Sequence, residues 1–131
     1  MKSKICTTID QCKKLLDLGI DINTADLTVT NFPLQDGSRY DFICCKLPND
    51  TFPSITDGKS EKIPAWSLSA LLELIPESID DNTDDFSQLQ LTKKSVAYYY
   101  GNGSLRCGFL KDNFINAAFE MIVWLKENNK I

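Results

Sequence analysis

Residues 86–110 read FSQLQLTKKSVAYYYGNGSLRCGFL, and this stretch decides the fold class. Leu89 and Leu91 alternate with polar neighbours, which gives one strand over Phe86–Thr92. Lys93-Lys94-Ser95 makes a turn, Val96–Tyr100 is rich in β-formers, and Gly101-Asn102-Gly103 is a hairpin signal before Ser104–Leu110 returns. Three consecutive antiparallel strands make a meander. The segment Arg39–Leu47, bounded by Asp36-Gly37 and Pro48-Asn49-Asp50, is a further strand that could join them. A shorter strand is expected near Leu27–Thr30, and 48–62, with Pro, Gly, Ser, Asp and Lys but little periodicity, reads as a surface loop.

The flanks of the meander are helical. Thr8-Ile9-Asp10-Gln11 has the form of a capping box, in which the threonine hydroxyl and the glutamine amide each satisfy an orphan backbone donor. Ile9, Cys12, Leu15 and Leu16 then form one apolar stripe, and Gly19 provides a left-handed stop. A second helix follows Pro64, with Ser67 at its cap, Trp66 stapling onto Leu71, and Leu68, Leu71, Leu72 and Ile75 as its buried stripe. A third starts near Asn113 and runs to about Asn128, with Phe114, Ala118, Met121, Ile122 and Leu125 facing the core. Its polar stripe (Asn116, Glu120, Glu127) is thin, so Phe119 and Trp124 at the margins call for a second covering surface: another helix or a second subunit. The expected fold is α+β, an antiparallel sheet of three meander strands plus one more, packed against about three helices. At 131 residues the length fits one domain, 1–131.

Composition restricts the chemistry. No histidine is present, which removes Ser-His-Asp and Cys-His nucleophile systems, histidine metal sites and a histidine pH switch. Five cysteines, Cys6, Cys12, Cys44, Cys45 and Cys107, are an odd number without a CxxC pair, and read as thiols of a cytoplasmic protein. The polar start of the chain does not build a signal sequence, and no apolar run is long enough to span a bilayer. A net charge of −4 disfavours a nucleic-acid surface.

Asp80, Asn82 and Asp84 match positions 1, 3 and 5 of a calcium loop, but Asp85 stands where glycine belongs and Leu91 where the bidentate glutamate belongs. A solvated acidic loop is the expectation, with no metal and no cofactor. Gly101-Asn102-Gly103-Ser104 resembles a phosphate loop yet leads into a strand, so no helix N-terminus faces an anion. Alternation puts Tyr98 and Tyr100 on one sheet face and Tyr99 on the other. With Arg106 nearby, and with Phe119 and Trp124 on the last helix, Tyr98 and Tyr100 define a candidate partner surface. No set of residues qualifies as catalytic.

Three segments together carry a resemblance: Thr8–Leu16 through Asp26, Ile63–Pro76 with its Pro-Ala-Trp-Ser-Leu motif, and Asn116–Asn128. In order and spacing the chain resembles small uncharacterised proteins encoded by bacteriophages and integrated mobile elements of gut bacteria. Such proteins often have proline after the residue matching Asn113, where this chain has Phe114. The resemblance implies an origin and one domain, and brings no catalytic residues. The expected function is a non-enzymatic interaction protein binding a protein partner or itself. The alternatives are a small ligand-binding domain or enzyme using carboxylate, tyrosine or cysteine side chains, and single-stranded nucleic-acid binding.

Overall fold

The computed structural model describes residues 5–50, 54–55 and 61–131. The elements in order are α1 (Ile9–Asp17), β1 (Leu27–Pro33), β2 (Arg39–Cys45), β3 (Ser54–Ile55), β4 (Glu61–Ala65), α2 (Leu68–Leu74), β5 (Ser78–Ile79), β6 (Ser87–Leu91), β7 (Ser95–Tyr100), β8 (Leu105–Leu110) and α3 (Phe114–Glu127). A single 3-10 turn at Ile22–Thr24 lies between α1 and β1. They belong to two antiparallel sheets of four strands, β2-β1-β4-β3 and β5-β6-β7-β8, so the α+β class with antiparallel pairing holds. The chain divides into two compact units, Cys6–Ser67 and the segment Leu68–Ile131.

In the first unit, α1 begins with both halves of the capping box: the Gln11 N–H donates to Thr8 Oγ1 and the Thr8 N–H to Gln11 Oε1. Gly19 follows the helix with φ +88°, the left-handed stop its position requires. Helix α1 packs on β4, and Cys12, Leu15, Val29, Ile63, Ala65 and Trp66 are buried. Trp66 is fully enclosed, donates its indole N–H to Thr24 Oγ1 at 2.9 Å, and exchanges backbone contacts with Thr7.

Two expectations change here. The strand Arg39–Leu47, observed as Arg39–Cys45, does not join the meander. It pairs with β1 from Leu27↔Cys45 to Pro33↔Arg39, at the end of a separate sheet. A hairpin through Asp36-Gly37 costs far less loop entropy than a distant pairing, so the nearer partner wins. The loop over 48–62 also runs too far, because β4 begins at Glu61; residues 51–53 and 56–60 lie outside the described set. Pro64 concealed this strand, and ladder geometry explains why it is tolerated. Lys46 donates to Asp26 and Leu34 to Ser38, so even-numbered residues of β1 and β2 bond each other. Odd residues of β1 therefore bond β4 through Leu27↔Ala65, Val29↔Ile63 and Asn31↔Glu61. Pro64 falls between these bonded pairs, where its nitrogen points away from β1 and the β1 ladder loses no donor.

In the second unit the meander β6-β7-β8 forms as expected, and its fourth strand is the two-residue β5. Helix α3 is capped by Asn113, whose Oδ1 accepts from the Asn116 N–H at 2.9 Å. It packs against α2, β7 and β8. Ile115, Ala117, Ala118, Phe119, Met121, Ile122 and Leu125 are all buried. The second covering surface that its thin polar stripe demands is thus supplied by α2 within the same unit.

Candidate functional site

Two of the five residues proposed for a partner surface, Tyr100 and Trp124, lie against a third, Arg106. Between β7 and β8 the register passes from Tyr98↔Cys107 to Tyr99↔Leu105, leaving Arg106 as the extra residue of a β-bulge. The bulge aims its guanidinium carbon to 5.6 Å from the Tyr100 ring centre and 5.8 Å from that of Trp124. The Tyr98 and Trp124 rings lie 6.4 Å apart. Arg106 Nη1 also lies 2.7 Å from Asp80 Oδ2 and donates to the Asp85 carbonyl at 2.8 Å. Lys130 adds an ion pair to Asp80 Oδ1 at 2.9 Å.

These partners leave Arg106 little capacity for a ligand. Tyr98 has no exposed surface and donates its hydroxyl to the Pro76 carbonyl, while burial pushes its acidity down and its pKa up. Phe119 is buried as well. Tyr98 and Phe119 therefore belong to the core of this unit, and Tyr100, Arg106 and Trp124 are half-buried around the cluster. Hydrogen bonds from Lys130 first, and from Arg106 second, hold the Asp80 carboxyl below its ordinary range. Asp80 is thus committed to two cations, and Asp80 and Asn82 adopt left-handed backbone with φ +54° and +65°. Among the described residues no group of three His, Cys, Asp or Glu is arranged to hold a metal.

The nearby hollow is an open depression of about 520 Å³ with Thr83, Asp84, Phe86, Tyr100 and Asn102 in its wall. It offers the Asp84 carboxylate, the Asn102 amide and the hydroxyls of Thr83 and Ser104, of which Ser104 already donates to Asn102 Oδ1 at 2.6 Å. Cys107 is half-buried, and burial pushes its thiol pKa up against the opposing effect of Arg106, which disfavours the reactive thiolate.

The feature that sequence reading missed lies on β2. Every residue of this strand is exposed, although Tyr40, Phe42 and Ile43 are large and apolar, at 51%, 51% and 38% exposure. Strand β2 is the outer member of its sheet. Even residues bond β1, so the backbone N–H and C=O of Asp41, Ile43 and Cys45 point to the outer edge. Tyr40 and Phe42 share one face, where Tyr40 also stacks at 5.5 Å on Phe32. Asn31 bridges the opposite face: its amide donates to Asp41 Oδ1 and its carbonyl oxygen accepts from Arg39 Nε. Natural edge strands usually carry devices against pairing, such as proline, inward charge or short length. This seven-residue edge has exposed aromatics and no proline, and its charged residues are Arg39 and Asp41 alone. The signal was present in RYDFICC as two aromatics on one strand face, but only the sheet order shows that, among the described residues, no strand pairs with the outer edge of β2.

No family model, curated protein or solved structure matches the chain. Among the described residues no helix is long and apolar enough to cross a membrane.

Proposed function

We infer that this chain is a cytoplasmic, non-enzymatic interaction protein of a phage or mobile element, and that it binds a protein partner, another chain or its own copy, through β2. One observation carries the reading: a full-length outer strand exposes Tyr40, Phe42 and Ile43 together with outward backbone donors and acceptors. Strand addition draws affinity from such main-chain groups and specificity from alternate side chains. The resemblance of the three segments supports the origin, and exposed Cys44 and Cys45 thiols suit a reducing compartment.

The test uses Asp41→Pro. The Asp41 N–H points outward, so proline there removes an edge donor and spares the β1 ladder. Tagged full-length wild type and variant are each used to purify associated protein from the native host. The reading expects a protein retained by wild type and lost from the variant. Identical associated proteins in both purifications would contradict it.

A further inference from the structure

We propose that the occupant of the β2 edge is a second copy of this chain, paired antiparallel about a two-fold axis at Phe42 so that two four-stranded sheets join into one of eight. This rests on the reading of β2 as the binding strand and adds the partner's identity.

The argument is one of phase, length and charge. Outward-pointing backbone belongs to the odd residues, so a second strand can bond only in registers that set odd residues against odd residues. Of these, the register centred on Phe42 alone overlaps the whole seven-residue strand. It sets Asp41 against Ile43 of the second copy and Ile43 against its Asp41, and with the Arg39–Cys45 pairs at the two ends this makes four pairs of the kind that exchanges two bonds each. Cys45 comes opposite Arg39 and Tyr40 opposite Cys44. Phe42 meets its own copy in the closely spaced, non-hydrogen-bonded pair, where side chains approach best. No like charges stand directly opposed.

The competing registers are worse. Centring on Asp41 sets carboxylate against carboxylate, while centring on Tyr40 gains an Arg39–Asp41 pairing but overlaps three residues only. Centring on Ile43 sheds Tyr40 from the overlap. The aromatic face is therefore self-complementary where the backbone permits pairing, which is the requirement of a two-fold interface. Helix α3 needs no second copy for this pairing, since it packs against α2, β7 and β8 of its own unit.

Sedimentation equilibrium of the full chain over the micromolar range reads the first arm. Wild type is expected at twice the 14.8 kDa of one chain. Asp41→Asn should remain dimeric and Asp41→Pro should fall to the single-chain mass with an unchanged circular dichroism spectrum. A single-chain mass for wild type, or a dimer that survives Asp41→Pro, overturns the proposal. A second arm does not depend on the proline variant folding. In a Cys44→Ser, Cys45→Ser background, Phe42→Cys puts two cysteines about 4.5 Å apart at Cα, within disulfide reach. Tyr40→Cys puts its pair about 13 Å apart along the strand, beyond it. Mild oxidation should cross-link the first and not the second; equal cross-linking, or none, overturns the register. A single-chain mass combined with Asp41→Pro-sensitive retention of a different host protein refutes self-pairing while leaving β2 as the binding strand. A single-chain mass without such retention refutes both.

Discussion

Trp66→Ala should cost the first unit on the order of 3–5 kcal/mol. Trp66 is wholly enclosed, and a buried tryptophan removes roughly 150–250 Å² from water. At about 25 cal/mol per Å², that burial corresponds to roughly 4–6 kcal/mol, of which alanine retains a small part. The void left behind adds a cavity cost, and measured tryptophan and phenylalanine truncations fall at 3–5 kcal/mol. The lost indole bond adds little. Thr24 is half-exposed, and water can replace the indole at Thr24 Oγ1, whose own hydroxyl still donates to the Asp21 carbonyl at 2.6 Å. Trp66→Phe keeps most of the buried area and forfeits the N–H bond, so it should cost about half as much. Urea unfolding followed by circular dichroism measures both, because it does not depend on the removed fluorophore. A loss below about 1 kcal/mol for the alanine variant would refute the placement of Trp66 in the core.

Tyr98→Phe should destabilise by about 1–3 kcal/mol in urea unfolding, since it leaves the Pro76 carbonyl without the hydroxyl that donates to it; a neutral result would contradict that bond. The Asp80 carboxyl titrates lower in the folded chain than in the unfolded one, so its contribution is fully present above about pH 4 and is lost as pH falls through the depressed folded value. The gap in stability between wild type and Asp80→Asn should accordingly narrow on acidification below about pH 4, and a gap independent of pH would refute the ion pairs. Millimolar calcium should leave the melting temperature unchanged, because Lys130 and Arg106 already engage Asp80; a rise of several degrees would show a filled site.

What was legible in the sequence was local. The capping box at Thr8 and Gln11, the start of α3 near Asn113, the Asp36-Gly37 turn and the meander hairpins are written in neighbouring residues, and each formed where its signal lies. What depends on distant pairing was not legible. Strand β2 was recognised as a strand and assigned to the wrong sheet, because alternation specifies a face and not a partner. Strand β4 was hidden by Pro64, which counts against a strand unless the direction of its nitrogen in the ladder is known. The two-residue β5 is too short to carry periodicity. The partner surface of Tyr98, Tyr100, Arg106, Phe119 and Trp124 was assembled from strand alternation and helix margins, which do not show which side chains meet. The bulge that turns Arg106 over the rings, and the burial of Tyr98 and Phe119, arise only from tertiary packing.

The outer edge of β2 is tested most directly by residue-resolved amide hydrogen exchange as protein concentration is raised. The Phe42 and Cys44 amides bond β1 and should exchange slowly at every concentration. The Asp41, Ile43 and Cys45 amides should exchange fast in dilute solution and become protected together as copies pair. Alternating amides that stay equally fast across the concentration range, or a strand without alternation, would contradict the account.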